Sequence, residues 1–394
     1  MPPISLLLSA GEASGDMYAA RLATALKQRM DVSIFGMGGP QMRAAGVDIV
    51  TDYSEVSVVG ITEVLKRLPS LVRAMRHLVG EAERRKPPLA ILTDFPGFHL
   101  RLARKLRPRG IRNVYYICPQ FWAWRPWRVN LVRRRFAEAL CIFPFEETFY
   151  ADAGVPVKFI GHPLVGNVKA SLTRELFCKK YGLEHEARII TILPGSRRGE
   201  IAHHVPVLVE ALGDIRRNLP RPPEVVIPVA PGLDARRLER KFPAEWHVRF
   251  IESDTYNALA AADLAIVSSG TATVETALLG KPMIVIYRLS PLTAQLAKPL
   301  VRTKFFSMVN LIAGRAVVPE LIQNDFTPQR VAAEAVTLLS TTEEAKTRVA
   351  EMIRGLQEVQ KLLGPPGAVE RAADEIVRLL QGLKATQSEG SGIL

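Results

Sequence analysis

The sequence predicts an α/β protein made of two doubly wound parallel-sheet domains. Short, fully apolar segments alternate with helix-length amphipathic segments along most of the 394 residues. Strands that are apolar throughout are typical of parallel sheets covered by helices on both faces. The length allows two domains with separate cores, and a hydrophobic content of 48% indicates a globular protein.

The first series of predicted strands defines an N-terminal domain over residues 1–165. In chain order its members are ISLLLS, VSIFG, LAILTD, NVYYIC, ALCIFP and VKFIG. The first of these lacks a basic leader and runs directly into a helical pattern, so we interpret it as a strand rather than a signal peptide.

A second series defines a C-terminal domain over residues 166–345. Its members are RIITILPG, EVVIPVA, HVRFI, DLAIVSSG and PMIVIYR, and the break between the two series falls within GHPLVGNVKAS. Residues 346–384 have a helical pattern only, and we expect these C-terminal helices to pack across the two domains. The composition of residues 385–394 predicts a disordered tail.

The charge of the chain favours an anionic partner. There are 52 Lys and Arg against 39 Asp and Glu, a net charge of +13, and residues 101–135 contain eleven basic and no acidic residues. Nucleic acid, a phosphorylated substrate and an acidic membrane surface all fit this charge, and an ordinary solvated face is the alternative for the basic run.

The cysteines and the hydropathy pattern indicate a cytoplasmic protein. Cys118, Cys141 and Cys178 are far apart and form no CxxC motif, which favours a reducing compartment and no zinc site. No stretch reaches the roughly 18 apolar residues that a membrane span needs.

Residues just after the predicted strands are the candidates for function, because ligands of open parallel sheets bind at the carboxyl ends of the strands. SAGEASGD follows the first strand, with Ser14 as a predicted helix N-cap and Asp16 two residues later, and both are candidates for the acceptor site. FGMGGP either lets backbone approach a ligand or makes a tight corner. Asp94 in LTDFPGF is either a helix-capping residue or a general base facing a cleft.

Two motifs of the second half suit phosphate. In TILPGSRRGEI, a Pro-Gly turn that includes Gly195 leads to Ser196, Arg197 and Arg198 at a predicted helix start. Backbone N–H groups, a hydroxyl and guanidinium groups suit a multiply charged anion, although an ordinary turn with solvated arginines is the alternative.

The other motif is SSGTATVETALLGKP, in which Ser269, Gly270 and Thr271 begin a predicted helix and Glu275 lies one turn later. Small hydroxyl residues at a helix start suit phosphate, and a nearby carboxylate suits a ribose diol. There is no Walker motif and no pair of aspartates two residues apart, so no metal ion is expected to bridge a diphosphate.

Taken together, the motifs resemble those of the lipid-A-disaccharide synthase family. They occur in that family's order and spacing from about Ile4 to Leu380, and they are SAGEASGD, GMGGPQM, DFPGF, PQFWAWRPWR, FPFEETFY, FIGHPL, LPGSRRGEI, SSGTATVETALLGKPMIVIYR and VNLIAGRAVVPELIQ. The family consists of inverting GT-B glycosyltransferases, with two Rossmann-like domains that face a central cleft.

The resemblance implies a reaction and its partners. UDP-2,3-diacylglucosamine would donate its sugar to 2,3-diacylglucosamine 1-phosphate (lipid X), giving a β-1,6 disaccharide and UDP, with no cofactor and no metal. The N-terminal domain would bind the acceptor and the C-terminal domain the UDP-sugar. A homodimer, peripheral on the anionic inner-membrane surface and without nucleic acid, is expected.

The resemblance also implies roles for single residues. Asp94 matches the essential carboxylate and would deprotonate the acceptor 6-hydroxyl. Arg197 would hold the diphosphate and Glu275 the ribose, and Asn310, which matches a further important polar residue, would also belong to the donor site. This sequence has His99 where many relatives have asparagine, and Trp127 where a small residue is common, and neither departure touches the assigned positions Asp94, Arg197, Glu275 and Asn310.

Three further features lie outside these assignments. Trp122 and Trp124 could bracket a sugar or an acyl chain of the acceptor, or belong to the core. His162 in GHP is expected to have a hinge or structural role, and Arg198 is either a second phosphate ligand or a surface neighbour.

The segment GITEVLKRLPSLVRAMRHL, residues 60–78, has an apolar stripe with helical spacing, interrupted by Pro69. Such a helix either docks on an anionic membrane and guides acyl chains, or packs its stripe on its own domain. The membrane-facing candidates are Ile61, Val64, Leu65, Leu68, Leu71 and Val72.

Two other enzymes remain as alternatives. One is another UDP-sugar transferase of the GT-B type, such as the lipid II-forming N-acetylglucosaminyl transferase. The other is a UDP-N-acetylglucosamine 2-epimerase, which shares the architecture. A nucleic-acid-binding module is disfavoured because the basic run has no recognised reader motif.

Overall fold

The computed structural model describes residues 3–55, 68–290, 295 and 303–390, without the side chains of Leu68 and of residues 384–390. The chain forms two compact units. Unit 1 comprises Met1–Pro163 and Pro365–Leu394, and unit 2 comprises Leu164–Gly364.

Unit 1 is built on a parallel sheet. Its strands are β1 (Ile4–Ala10), β2 (Val32–Gly38), β3 (Asp48–Asp52), β4 (Leu89–Thr93), β5 (Arg112–Tyr116), β6 (Glu138–Cys141) and β7 (Val157–Phe159). They lie in the order β3-β2-β1-β4-β5-β6-β7, and neighbouring strands pair in parallel. Central strands such as β4 are buried along their whole length, as their apolar sequences predict.

Helices cover both faces of this sheet. They are α1 (Ala13–Arg29), α2 (Pro40–Ala44), α3 (Leu68–Arg85), α4 (Pro96–Leu106), α5 (Phe121–Trp124), α6 (Val129–Arg135) and α7 (Pro144–Asp152). Helices α3, α4 and α6 contribute to one apolar cluster together with buried residues of the sheet. Their outward faces remain in solvent.

Unit 2 repeats this plan. Its strands are β8 (Ile189–Leu193), β9 (Glu224–Val229), β10 (Arg249–Glu252), β11 (Leu264–Ser268), β12 (Met283–Tyr287) and β13 (Glu320–Ile322). They form a parallel sheet in the order β10-β9-β8-β11-β12-β13.

The helices of unit 2 are α8 (Arg174–Tyr181), α9 (Arg198–Asn218), α10 (Ala235–Glu239), α11 (Thr255–Ala261), α12 (Thr271–Leu278), α13 (Met308–Ala313), α14 (Pro328–Leu339) and α15 (Glu343–Leu362). In each unit the strand order reverses beside the first strand, between β1 and β4 and between β8 and β11. Such a switch point opens a crevice at the carboxyl ends of the strands, where ligands of doubly wound sheets bind.

The last helix, α16 (Ala368–Gly390), returns to unit 1. Arg371 donates from Nε to the carbonyl of Ile160 at 2.8 Å, and Arg29 pairs with Asp374 at 2.6 Å. The C-terminal helical segment is thus divided, α15 in unit 2 and α16 in unit 1. Helix α16 also extends into the range for which the sequence predicts a disordered tail, because no Gly or Pro interrupts residues 383–389.

Candidate active site

Unit 2 contains a cavity of about 720 Å³ at the carboxyl ends of its central strands. Loops after β8, β9, β10 and β11 line it. Seven residues singled out in the sequence lie on its wall, namely Gly195, Ser196, Arg197, Ser269, Gly270, Thr271 and Glu275. Two motifs that are more than 70 residues apart in the chain therefore meet at one cavity.

The loop after β8 is shaped by glycine and by a histidine. Gly195 has φ +123°, a conformation that a side chain would strain. Buried His204 on α9 accepts a hydrogen bond at Nε2 from the N–H of Arg288 at 2.9 Å, so its Nδ1 donates to the carbonyl of Pro194 at 2.7 Å. Burial lowers the pKa of His204, which keeps the ring neutral in this bridging role.

The loop after β11 presents the start of α12. Gly270, with φ +149°, is the N-cap residue and provides no side-chain cap. Ser269 donates from Oγ to the carbonyl of Phe306 at 2.8 Å. Ser268, which the sequence reasoning did not single out, also lines the cavity, and its buried hydroxyl has no hydrogen-bond partner among the described residues.

Glu275 lies one turn into α12, and Tyr256 donates its hydroxyl hydrogen to Glu275 Oε1 at 2.9 Å. Burial raises the pKa of Glu275, and the tyrosine bond opposes that shift. Tyr256 was missed because an isolated tyrosine after a strand carries no motif. The hydrogen bond from Tyr256 fixes the orientation of the Glu275 carboxylate, which the sequence analysis expects to bind a ribose.

Asn310, which the resemblance places among the donor-binding residues, is not one of the residues that line this cavity. It is buried on α13, where Nδ2 donates to the carbonyl of Val318 at 2.9 Å and to Glu320 Oε1 at 2.8 Å. Its Oδ1 accepts from the N–H groups of Val317 and Val318 at 2.7 and 3.0 Å. These bonds use both hydrogens and both lone pairs of the amide, so Asn310 holds the approach to β13, and its role toward the donor stays a prediction.

In unit 1, Asp94 stands directly after β4, at the switch point. Asp94 and Phe95 are consecutive residues in the left-handed region, with φ of +49° and +46°. Such conformations cost non-glycine residues about 1–3 kcal/mol each and persist only where the surroundings hold them. The ring of Phe95 lies against Gly11 after β1, where an added Cβ would come within 2.2 Å of it.

Two side chains hold this turn through the carbonyl of Asp94. Tyr115 donates its hydroxyl hydrogen to that oxygen at 2.9 Å, and fully buried His99 donates to it from Nδ1 at 2.8 Å. The other nitrogen of His99 is 2.8 Å from Ser9 Oγ on β1. Burial lowers the pKa of His99 to about 4, so a neutral ring accepts from Ser9 and donates to Asp94.

The carboxyl group of Asp94 is electrostatically perturbed. Burial, and to a lesser extent the nearby Glu12 carboxylate, raise its pKa to about 6, and the N–H of Phe95 opposes the shift. A carboxylate with a pKa near 6 is a stronger base than an ordinary aspartate and is still mostly ionised at neutral pH. Glu12 was not predicted from the sequence, since only the fold brings the ends of β1 and β4 together.

Ser14 is not the helix N-cap that the sequence predicts, and Asp16 has a structural contact of its own. The N-cap of α1 is Glu12, and Ser14 is exposed within the first turn. Asp16 is buried, and its carboxylate accepts from the N–H groups of Gly39, Gln41 and Met42 at 2.7, 3.0 and 3.2 Å. The carboxylate thus satisfies the free N–H groups at the start of α2.

Trp122 and Trp124 lie after β5 and are half-buried. Trp122 donates from Nε1 to Glu146 Oε1 at 3.0 Å. Glu146 is fully buried, and burial raises its pKa to about 8. The guanidinium of Arg125 lies 4.8 Å above the ring of Trp124.

The apolar stripe of residues 60–78 is divided by the structure. Ile61, Val64 and Leu65 and the side chain of Leu68 lie outside the described residues. Leu71 is half-buried and packs against the apolar cluster, as do the buried residues Met75 and Leu78 of the same stripe. Val72 is 44% exposed. For the described part of α3, most of the stripe therefore packs on its own unit.

His162 and Arg198 have structural or surface positions. His162 is buried beside the ring of Phe143, at 5.2 Å between centroids, and burial lowers its pKa to about 3. Arg198 is exposed at the first position of α9 and does not line the cavity.

Among the residues described, no three His, Cys, Asp or Glu side chains are grouped as a metal site. Every helix within the described ranges is too short or too polar to cross a bilayer.

Comparison with known proteins gives a consistent picture. Residues 6–363 match the family described as Lipid-A-disaccharide synthetase. A lipid-A-disaccharide synthase of Solibacter usitatus is 45% identical over 384 residues, which cover 97% of this chain and 98% of the relative.

Solved structures share the fold at much lower identity. The calicheamicin glycosyltransferase CalG4 is 18% identical with a TM-score of 0.58, covering 97% of this chain and 99% of CalG4. A UDP-GlcNAc 2-epimerase from Neisseria meningitidis, solved bound to UDP-GlcNAc, is 12% identical with a TM-score of 0.62, covering 96% and 100% of the two chains. Since a transferase and an epimerase both match, the fold alone does not separate these activities, whereas the sequence relatives do.

Proposed function

The chain belongs to the lipid-A-disaccharide synthase family of glycosyltransferases, and we propose that its two units divide the reaction between donor binding and acceptor activation. The donor would be UDP-2,3-diacylglucosamine and the acceptor 2,3-diacylglucosamine 1-phosphate. The proposal rests mainly on the seven donor candidates that line one cavity of about 720 Å³ in unit 2.

In the donor cavity, Glu275 would accept hydrogen bonds from the ribose hydroxyls, in the orientation that Tyr256 holds. The guanidinium of Arg197 and the start of α12 would bind the diphosphate. Positive charge and N–H dipoles stabilise the negative charge that develops on the departing UDP, so these groups act where the transition state needs them.

Asp94 would act as the general base on the acceptor. Its carboxylate takes the proton of the 6-hydroxyl, and that oxygen attacks C1 of the donor sugar from the face opposite UDP. The bond between C1 and the diphosphate oxygen breaks, and the configuration at C1 is inverted. The strained turn at Asp94 and Phe95 would direct the carboxylate toward the substrate.

The direct test is incubation with both acylated sugars, followed by mass spectrometry for the disaccharide 1-phosphate and UDP. Formation of both products in equal amounts is the expected result. Epimerisation of UDP-N-acetylglucosamine without transfer would support the epimerase alternative. Transfer to a polyprenyl-linked acceptor instead would support a lipid II-type enzyme.

We also propose that unit 1 meets the cytoplasmic surface of an anionic membrane through one basic face. Helices α3, α4 and α6 share an apolar cluster on their inner side, and their outer side carries exposed basic residues. These are Arg73, Arg76, Arg101, Arg104, Lys105, Arg133 and Arg134. Val72 provides an exposed apolar side chain beside Arg73 and Arg76.

Vesicle flotation tests this surface. Basic residues near an anionic membrane contribute roughly 1 kcal/mol each, so Arg73→Glu with Arg76→Glu should lower binding to anionic vesicles by tenfold or more. Arg236→Glu with Arg237→Glu, exposed in unit 2, is the matched control and should bind as wild type does. Equal loss in both variants would mean a general charge effect and no specific face.

A homodimer is the third part of the proposal, and it follows from the family resemblance alone. Sedimentation equilibrium of the full chain measures the mass directly. A monomer mass at micromolar concentration would contradict it.

A further inference from the structure

The start of α9 is already occupied by a carboxylate of the same helix. The N–H groups of Ser196 and Arg197 donate to Glu200 Oε2 at 3.0 and 3.3 Å. Arg197 is the N-cap residue and Glu200 the third residue of the helix, the positions in which a glutamate caps the preceding backbone. Two N–H groups that would suit a phosphate are therefore satisfied internally.

The surrounding loop is built closely around this carboxylate. A Cβ added at Gly195 would lie 2.5 Å from Glu200 Oε2, so the loop needs glycine there for space as well as for its φ. Arg197 Nη1 is 3.8 Å from Glu200 Oε1, while the arginine side chain remains 65% exposed and free to reach a ligand. Glu200 itself is on the cavity wall.

The start of α12 faces the same cavity without such a cap. Gly270 provides no side-chain acceptor for the first N–H groups of the helix. Beside it, Ser268 lines the cavity, and its buried hydroxyl has no partner within the described part of the chain. A buried hydroxyl without a partner is costly, and a ligand oxygen would relieve that cost.

We propose that Glu200 is an internal anion that closes the start of α9, so that the donor diphosphate is held by the Arg197 guanidinium, the start of α12 and the Ser268 hydroxyl. The inference rests on the proposed donor cavity. It adds Glu200 as a positioning residue and Ser268 as a residue that binds the diphosphate. Glu200 holds the loop that carries Arg197, and its negative charge opposes UDP. It thereby weakens the binding of UDP and favours its release as product.

Calorimetric titration with UDP and with uridine tests this. Glu200→Gln keeps an oxygen acceptor for the loop but removes the charge, so UDP should bind about 3–10-fold more tightly. Uridine, which has no phosphate, should bind as it does to wild type. Glu210→Gln removes the same charge from an exposed position of α9 and should leave both affinities unchanged.

Ser268→Ala is the complementary variant. Loss of one hydrogen bond to the diphosphate should weaken UDP binding by about 2–10-fold and leave uridine binding unchanged. Thermal melts check that each variant is folded. Weaker or equal UDP binding by folded Glu200→Gln would overturn the role of Glu200, and unchanged UDP binding by Ser268→Ala would overturn the position of the diphosphate. Failure of UDP to bind the wild-type chain would instead overturn the donor cavity itself.

Discussion

Each unit fixes the loop after a central strand with a buried histidine. His99 donates from Nδ1 to the carbonyl of Asp94 at 2.8 Å, and His204 donates from Nδ1 to the carbonyl of Pro194 at 2.7 Å. Both lie on the helix that follows the strand, and burial lowers the pKa of both. Both rings therefore stay neutral and serve as one donor and one acceptor.

The loops they hold are nevertheless of different kinds. In unit 1 two non-glycine residues, Asp94 and Phe95, adopt left-handed conformations. In unit 2 the left-handed position after β8 is Gly195, and Glu200 caps the N–H groups that follow it. In unit 1, backbone strain lowers the stability of the fold and orients one carboxylate. In unit 2, an unstrained loop lines a cavity for a larger ligand.

The largest effect is expected at the strained loop. If Asp94 is the base, Asp94→Asn should lower kcat by a factor on the order of 10²–10⁴ and leave UDP affinity nearly intact. In the wild type, kcat should fall as the pH falls through about 6, because burial raises the pKa of Asp94 to about 6 and only the ionised form accepts a proton. Steady-state kinetics between pH 5 and 8 measure both.

The melting temperature of Asp94→Asn is the control that separates a catalytic role of Asp94 from a structural one. Since the pKa of Asp94 is raised on folding, ionisation destabilises the folded state, and this cost is present above about pH 6. Asp94→Asn should therefore melt at the same or a higher temperature than wild type at pH 8. A lower melting temperature together with lost UDP binding would mark Asp94 as structural.

In the loop after β8, a substitution should lower UDP affinity, which is the property that Asp94→Asn leaves nearly intact. Arg197→Ala removes a hydrogen bond to a charged group, worth about 1.5–3 kcal/mol, so UDP should bind about 10–100-fold more weakly. Arg198→Ala is the matched control, because Arg198 is exposed beside it but does not line the cavity. Calorimetric titration with UDP distinguishes them, and equal losses in the two variants would contradict a specific role for Arg197.

The sequence predicts these two loops because apolar strands and the polar residues after them are local patterns. The same patterns do not predict β3 and β13, which are short strands at the sheet edges; β3 is largely polar, and β13 has only three residues. They are held by pairing with β2 and β12, so their conformation depends on tertiary contacts.

The roles of polar side chains were harder to predict than their positions. Asp16 and Asn310 stand in motifs that suit a ligand, yet both accept hydrogen bonds from backbone N–H groups of a later segment, 23 residues along the chain for Asp16 and 7 for Asn310. Glu12 gains its role because the ends of the neighbouring strands β1 and β4 meet, and Tyr256 gains its role because the fold brings the start of α11 to α12. A motif gives the type of residue, while the number of its free hydrogen-bonding atoms depends on the fold.

A smaller effect is expected from the histidine that holds the strained turn. His99→Ala leaves the Ser9 hydroxyl without its partner and removes one of two donors to the Asp94 carbonyl, which should cost about 1–3 kcal/mol of stability. Turnover should fall by about tenfold, with UDP affinity unchanged, because the carboxylate is less well directed. His99→Asn retains an N–H donor and should recover most of the turnover. Equal turnover in wild type and a folded His99→Ala variant would show that Asp94 needs no such support.

The smallest effect should come from the corresponding histidine of unit 2. His204→Ala leaves the Pro194 carbonyl and the N–H of Arg288 without their partner, so a loss of stability similar to that of His99→Ala is expected. Its effect on the ligand should be only about threefold in UDP affinity, because Glu200 still holds the N–H groups of Ser196 and Arg197 after the histidine is gone. In unit 1 the second support, the Tyr115 hydroxyl, bonds the same carbonyl as His99, and the Asp94 carboxylate depends on the geometry of that one turn. Thermal melts and UDP titration of the two alanine variants side by side test the contrast. If His204→Ala reduces UDP binding as much as Arg197→Ala does, the loop is not held by Glu200, and the two units depend on their histidines in the same way.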